Sequence, residues 1–296
     1  MPYEYERPTP AVRRMYREQL MATDVPMQVV EIGRSILSEP LEMYSFGEGS
    51  LRVVCVGAHH GTEWMTAALL YRFLFDLSDA YRRDMPTLGI HPGFLFSRYT
   101  FHIMPMLNTD GCALALTDRP TPPLERRQVR MSGGEGFLTW QANARGVDLN
   151  HNYSYGHEAY KQMEHTLGIE AGRSLYSGEY PESEPETRAL SSYIRTLGPR
   201  AVLSLHMGEG CVYYAPRESA ACRRAAERLG RRIGCEARCP TGTAVYGGLC
   251  DYTGEVLGIP SFTLSIGKHQ NPPPDAMAPL LYMGLYSALF GLPMLL

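Results

Sequence analysis

The most constraining feature of the sequence is a short β-branched run that ends at a glycine and passes directly into a helical stretch. Residues 52–58, R-V-V-C-V-G-A, predict a strand closed by Gly57, and residues 63–77 predict the helix that follows it. Strand and helix signals keep alternating along the chain, which is typical of an α/β domain. The other predicted strands are 99–104, 201–205, 212–214 and 261–266, and the other predicted helices are 184–197, 219–233 and 280–290.

The chain shows no internal repeat and no linker-like segment, so we expect residues 1–296 to form a single domain. Residues 108–180 are irregular, which leaves room for hairpins and long loops between the β-α units. We therefore predict a mixed, mainly parallel twisted sheet flanked by helices. Long loops are also where such a domain builds its functional site.

The charge balance excludes one class of partner. The 28 Lys and Arg residues face 31 Asp and Glu residues, so there is no basic excess for a phosphate backbone and we expect no nucleic-acid partner. The seven cysteines are odd in number and show no paired spacing, which argues against a disulfide framework. Together with a charged N-terminus that lacks an apolar signal region, they predict a cytoplasmic protein.

The C-terminal residues 276–296 contain no charged residue and approach the length of a membrane span. Pro279, Gly284 and Pro293 interrupt this run, and a buried helix that ends at Gly291 fits it as well as an anchor does. We expect a closing core helix and no membrane partner. The sequence makes no prediction of the oligomeric state.

A candidate metal site lies at the junction between the first predicted strand and helix. His60 and Glu63 form an H-x-x-E pair there, and their imidazole nitrogen and carboxylate oxygen both suit Zn²⁺. The pair alone is weak evidence, because a surface histidine beside a helix-capping glutamate has the same spacing and His206 with Glu209 repeats it. However, His206 also follows a predicted strand, so a third ligand is available from a second strand end.

Several blocks of sequence, spread over most of the chain, resemble the zinc carboxypeptidases of the carboxypeptidase A type. The blocks are G-A-H-H-G-T-E-W at 57–64, L-N-T-D-G at 107–111, W-Q-A-N-A-R-G-V-D-L-N-H-N-Y at 140–153, L-S-L-H at 203–206, and the segment 246–267. The resemblance implies the carboxypeptidase fold and one Zn²⁺ ion held by His60, Glu63 and His206. It also implies that Asn150 binds a substrate carboxylate.

The motif G-V-D-L-N and the motif S-E-P-E at 183–186 are most similar to those of a bacterial branch of that family. This branch comprises the γ-D-glutamyl-diamino acid peptidases and the murein peptide amidases, which act on peptidoglycan stem peptides. The resemblance therefore implies a small peptide or muropeptide as substrate.

The chain departs from the family pattern at three functional positions. Ser265 stands where the pattern F-T-x-E-x-G has the general-base glutamate, and an unshifted serine hydroxyl cannot accept a proton at neutral pH. General acid-base assistance is typically worth about 10²–10⁴-fold in rate. His151 and Gln141 stand where the family has arginines that clamp a carboxylate, so substrate handling must differ.

Three further residues are candidates for compensating roles, each with a plainer alternative. Glu209 lies on a glycine-flanked loop and is a candidate substitute base, or it is simply a solvated carboxylate. Arg145 is a candidate cation for the oxyanion, or a solvated surface residue. Tyr246 roughly matches the family's mobile substrate-binding tyrosine, or it is a packed ring.

Two functional hypotheses follow. The first is a zinc metallopeptidase that hydrolyses an amide bond in a small peptide, such as a peptidoglycan stem peptide, without the usual glutamate at position 265. The alternative is a catalytically impaired, zinc-binding pseudoenzyme that recognises a peptide or cell-wall fragment. Serine at position 265 is also what a deliberately inactivated variant could carry, although alanine or glutamine would be commoner choices.

Overall fold

The computed structural model describes residues 5–215, 219–267 and 271–295, apart from the side chains of Thr243 and Ala244. Its strands are β1 (Met27–Arg34), β2 (Pro40–Phe46), β3 (Leu51–Val56), β4 (Tyr99–Met104), β5 (Ala201–Met207), β6 (Cys211–Tyr214), β7 (Glu236–Arg238) and β8 (Ser261–Ile266). They form one sheet in the order β1-β2-β4-β3-β5-β8-β6-β7.

Helices separate most of these strands along the chain. They are α1 (Pro10–Met21), α2 (Trp64–Arg83), α3 (Pro92–Arg98), α4 (Thr109–Thr117), α5 (Glu125–Met131), α6 (His157–Leu167), α7 (Pro185–Leu197), α8 (Ala220–Ile233), the single turn α9 (Leu249–Asp251) and α10 (Ala278–Gly291). Short 3-10 turns occur at Gly61–Glu63 and Leu149–His151.

The sheet is mixed, with a parallel centre. Strand β3 pairs in parallel with β4 on one side and with β5 on the other, and β5 continues in parallel to β8. The pairs β1/β2, β2/β4 and β6/β8 are antiparallel. The predicted α/β class and mixed sheet are therefore confirmed.

Ligand sites in α/β folds form between two neighbouring parallel strands whose following connections lead to opposite sides of the sheet. The chain leaves β3 through α2 and α3 and reaches β4, whereas β5 lies on the opposite side of β3. The carboxyl ends of β3 and β5 therefore border a topological switch point, which is where open α/β sheets bind ligands.

The hydrophobic core lies on both faces of the sheet, as the alternation within β3 requires. Val53 and Cys55 pack into a cluster that also contains buried residues of α1, α2, α8 and α10. Val54 and Val56 point to the other face and pack in a cluster with Leu190 and Ile194 of α7 and their neighbours. Helices thus cover both faces, and the strand ends remain for the functional site.

The structure differs from the prediction in its strands and in residues 108–180. Strands β1, β2 and β7 were not predicted. The two edge strands, β1 and β7, have mostly exposed or half-buried residues, which weakens their hydrophobic pattern. The expectation of hairpins within 108–180 is wrong. The described residues there form α4, α5, α6 and turns, which are held by side-chain bonds to backbone groups instead of strand pairing.

The C-terminal run forms the predicted closing helix. Within α10, Tyr282, Leu285 and Leu289 are buried in the same core cluster as α2 and α8. In the described part of the chain, one helical stretch, Asp275–Met294, is long and apolar enough to cross a membrane, and half of its most apolar window is buried inside the protein. A core helix meets the same criterion.

Candidate functional site

Three side chains that could hold a metal ion meet at the switch point. His60 follows β3, Glu63 ends the 3-10 turn Gly61–Glu63, and His206 lies in the last part of β5. Their donor atoms lie within 4.8 Å of one another. His60 Nδ1 is 3.1 Å from Glu63 Oε1, and His206 Nδ1 is 2.9 Å from Glu63 Oε2. The strand ends thus bring together the three residues that the sequence predicted.

The remaining ring nitrogen of each histidine has a fixed partner. His60 Nε2 lies 3.2 Å from Asp148 Oδ1, and His206 Nε2 lies 3.0 Å from the hydroxyl of Ser204. Such outer partners orient imidazole ligands and set which nitrogen is free to bind a metal. Both Nδ1 atoms are consequently turned toward Glu63.

The donor set fits one zinc ion. His60 Nδ1 and Glu63 Oε2 are buried, and although each lies close to another of these three side chains, neither contact has the geometry of a hydrogen bond. Buried polar atoms normally have partners, so these two indicate a missing ligand. Two imidazole nitrogens and a carboxylate, about 3 Å apart, match the separations expected when each binds a common Zn²⁺ ion at about 2 Å.

The ionisation of two buried carboxylates, Glu63 and Asp148, also suits a bound dication. Burial alone would raise the pKa of Glu63, but the imidazoles of His60 and His206 outweigh it and hold that pKa well below its ordinary value. Burial would likewise raise the pKa of Asp148, and the adjacent His60 lowers it. Both carboxylates therefore remain ionised at neutral pH, and together they offset the double charge of a bound dication.

Asn108 connects the metal turn to the neighbouring substrate segment. Its side-chain NH₂ group donates to the carbonyl oxygens of His59, Gln141 and Ala142, at 2.9, 3.1 and 3.1 Å. Its Oδ1 accepts the backbone N–H of Gly111 at 2.9 Å. The sequence marked 107–111 as a turn but did not predict this connecting role, which depends on three segments that meet only in the fold.

A pocket opens beside the three metal ligands and is lined by most of the predicted substrate residues. Gln141, Asn150 and His151 line it together with Glu209 and Ser265. Asn150 Oδ1 accepts the backbone N–H of Leu249 at 3.2 Å. The His151 ring stacks on Tyr160 with 4.3 Å between ring centres, and its Nδ1 is 2.9 Å from the carbonyl oxygen of Tyr246.

Ser265 lies beside the metal ligands on strand β8. It is paired directly opposite His206 in the sheet, and only 3% of its surface is exposed. Its hydroxyl accepts the backbone N–H of Glu209 at 3.0 Å. Ser265 therefore lies on β8 beside His206, and its hydroxyl anchors the backbone of Glu209.

The Glu209 side chain belongs to the same pocket wall. Its carboxylate accepts a hydrogen bond from the hydroxyl of Tyr213 and lies 3.6 Å from the Cys211 sulfur. Glu209 is exposed to solvent, and it lines the pocket that contains the candidate metal ligands. Glu209 thus shares the pocket with the three candidate metal ligands, and its carboxylate is bonded to Tyr213.

Two predicted residues lie outside the described pocket lining. The Arg145 guanidinium makes a two-point ion pair with Glu184, at 3.0 and 3.1 Å. Because this pairing holds it away from the pocket, the geometry gives no support to the predicted oxyanion role. Tyr246 packs its ring against Gly156, which agrees with the plainer alternative of a packed ring.

The pocket also contains acidic residues whose roles the sequence did not predict. Asp148 contacts His60 and accepts the backbone N–H groups of Asn150 and Leu175. Asp251, which follows the Y-G-G turn, lines the pocket with Cys250. The only sequence signal for these two acids was that each lies within a block that resembles the zinc carboxypeptidases.

Replacing a metal ligand should remove the metal. We expect His60→Ala and His206→Ala to lose the bound zinc and the gain in Tm that zinc gives the native protein, because binding to the folded state stabilises it. Elemental analysis and thermal melts with and without chelator measure both effects. His91→Ala, which changes an exposed histidine paired with Asp84, is the matched control. Full zinc content in both ligand variants would contradict this metal site.

Asn108→Asp should destabilise the fold although it preserves shape. The substitution replaces an NH₂ donor with a carboxylate oxygen facing three carbonyl oxygens, so we expect a loss of more than about 2 kcal/mol in the free energy of unfolding. Urea unfolding measures this loss. Gln162→Glu, the same amide-to-acid change at an exposed position, should leave stability nearly unchanged. Equal stability of the two variants would contradict the connecting role.

Comparisons with known proteins agree with this geometry. The family model described as zinc carboxypeptidase matches residues 18–280. The γ-D-glutamyl-L-diamino acid endopeptidase 1 of Lysinibacillus sphaericus is 28% identical over 274 residues, which cover 88% of this chain and 67% of that protein.

Solved structures share the fold. Bovine thrombin-activatable fibrinolysis inhibitor superposes with a TM-score of 0.70 at 20% identity, covering 95% of this chain and 93% of that one. Murein-tripeptide amidase MpaA from Escherichia coli O157 gives a TM-score of 0.53 at 21% identity, covering 93% and 95%. Since the family model covers most of its length, this chain belongs to the zinc carboxypeptidase family.

Proposed function

We propose that this protein is a zinc-dependent hydrolase that cleaves an amide bond in a small peptide. The observation that carries the proposal is the convergence of His60, Glu63 and His206 beside a pocket lined by the substrate segment. When bound, zinc supplies Lewis acidity that polarises a carbonyl and activates water.

The substrate we propose is a peptide of the kind found in peptidoglycan stems. Support comes from two relatives, one named as a γ-D-glutamyl-L-diamino acid endopeptidase and the other as a murein-tripeptide amidase. A cytoplasmic location, where such fragments would be small and soluble, remains part of the proposal.

Proton transfer in this hydrolase would fall to Glu209. The Ser265 hydroxyl cannot serve as a base at neutral pH, whereas the Glu209 carboxylate lines the same pocket. The bond from the Glu209 backbone to Ser265 Oγ holds this loop beside β8. In the proposed reaction Glu209 accepts a proton from the attacking water and delivers it to the leaving amine.

A second candidate function rests on Ser265 itself. A site with intact ligand geometry and no base on β8 also fits a protein that binds a peptide or cell-wall fragment without cutting it. In that case the Glu209 carboxylate would simply remain bound to Tyr213 and solvent.

Glu209→Gln distinguishes these two functions. If Glu209 is the base, the variant should lose about 10²–10⁴-fold in kcat while it keeps its zinc, because the amide fills the same space but accepts no proton. Mass spectrometry of muropeptide and peptide digests, with elemental analysis of the same samples, measures both quantities. Glu48→Gln, at an exposed position, is the matched control.

Ser265→Glu provides the complementary measurement. If the native protein binds zinc but cleaves nothing, and Ser265→Glu gains activity, then the protein is a binding module and the hydrolase proposal is wrong. If the native protein cleaves peptides and Glu209→Gln retains full activity, the assignment of the base to Glu209 is wrong.

A further inference from the structure

A chain of buried polar side chains starts at the ring nitrogen of His206 that does not face Glu63. His206 Nε2 lies 3.0 Å from the hydroxyl oxygen of Ser204, and that oxygen lies 3.3 Å from His59 Nδ1. His59 Nε2 lies in turn 3.2 Å from the hydroxyl oxygen of Tyr153. All four residues are buried. The chain ends at His59 and Tyr153, neither of which is a candidate metal ligand or lines the described pocket.

Ring contacts hold the members of this chain in place. The His59 ring stacks on the ring of His206, with 5.3 Å between ring centres and 26° between ring planes. The Tyr153 ring stacks on Tyr252, with 5.8 Å between centres and 17° between planes. The backbone N–H of Tyr153 also donates to the carbonyl oxygen of Gly247 at 3.1 Å. Packing therefore maintains the distances along the chain together with its hydrogen bonds.

Metal binding by His206 is compatible with one arrangement of hydrogens along the chain. His206 turns Nδ1 toward Glu63, and a metal ligand must present an unprotonated nitrogen, so the ring hydrogen lies on Nε2 and is donated to Ser204. The single hydroxyl hydrogen of Ser204 is then donated to His59 Nδ1. His59 consequently carries its own ring hydrogen on Nε2 and donates it to the Tyr153 hydroxyl.

His59 makes this arrangement possible because it is the acceptor for the Ser204 hydrogen. Among the described residues, the Ser204 hydroxyl is bonded to His59 and His206. With an apolar residue at position 59, the acceptor left for the Ser204 hydrogen would be His206 Nε2. The ring hydrogen of His206 would then lie on Nδ1, which is the nitrogen that must bind the metal. A residue that does not touch the metal would thus control its binding.

We propose that His59 is a positioning residue for the candidate metal ligand His206. Through Ser204 it keeps the ring hydrogen of His206 on Nε2 and leaves Nδ1 free for Zn²⁺. Tyr153 completes the chain as the acceptor for His59 Nε2. This inference rests on the zinc site of the proposed function, but it does not depend on whether the protein cleaves a peptide.

The zinc affinity of matched variants tests the proposal. His59→Leu removes the acceptor and should raise the Kd for zinc about 10-fold, as the loss of an outer partner of a ligand does. His59→Asn keeps an acceptor oxygen near the place of Nδ1 and should bind zinc nearly as tightly as the native protein. Competition with a chromophoric chelator measures each Kd, and circular dichroism establishes that each variant is folded.

His102→Leu is the matched control. His102 is another buried histidine bonded to a tyrosine, with Nδ1 2.8 Å from the Tyr193 hydroxyl, but it lies on β4 and belongs to neither the chain nor the metal site. Its replacement should lower Tm and leave the zinc Kd unchanged. A general loss of core packing is thereby distinguished from the loss of an acceptor for Ser204.

Nitrogen NMR of labelled histidine side chains observes the hydrogens directly in the native protein. In the zinc-loaded protein we expect both His59 and His206 to carry their ring hydrogen on Nε2. The spectrum of His59→Asn identifies the His59 signals, because they are missing from it. A role of His59 in packing alone would not fix its tautomer.

The outcomes separate this inference from the hydrolase proposal. A ring hydrogen on His59 Nδ1 in the zinc-loaded protein would overturn the inference, and so would an unchanged zinc Kd in folded His59→Leu or an equal loss in His59→Asn. If His59→Leu does not fold, the tautomers of the native protein decide. The expected tautomers and Kd values, without cleavage of any peptide, would support the inference and overturn the proposed hydrolysis.

Discussion

The contacts of one buried carboxylate, Asp148, support both halves of the functional site. It lies 3.2 Å from His60 Nε2, which directs His60 Nδ1 toward the other metal ligands. It also accepts the backbone N–H groups of Asn150 and Leu175, which shape the substrate segment. The metal ligands and the substrate pocket are therefore coupled through a single side chain, and a change at Asp148 would disturb both.

Beside Asp148, the structure brings together three side chains that suit a metal ion, next to a pocket lined by the predicted substrate residues. The three candidate metal ligands lie close together, with Glu63 and His206 buried and His60 half-buried. Ser265, Gln141 and His151 line the same pocket, at positions where the sequence resemblance predicted a carboxylate and two cations. In the proposed function, the base moves from β8 to the loop between β5 and β6, where Glu209 is held by Ser265.

The metal site was predictable because its ligands follow strands. His60 and His206 come directly after or within β-branched and apolar runs, and the ends of parallel strands meet at one edge of a sheet. The role of Arg145 was not predictable, because its partner Glu184 lies far along the chain and only folding brings the two together. Strand β1 was not predicted for a different reason. It is an edge strand with many exposed residues, and these weaken its hydrophobic alternation.

The sequence by itself determined the α/β class and the family, and it predicted the three candidate metal ligands and the departure at Ser265, since these depend on local periodicity and on residue identity at resembling positions. Only the tertiary structure decided which polar groups share the pocket. Asn108 joins three segments, Asp251 enters from the turn after Tyr246, and Arg145 is withdrawn by Glu184. These facts depend on distances between segments remote in sequence, and such distances are determined by packing and by the pairing of buried charges.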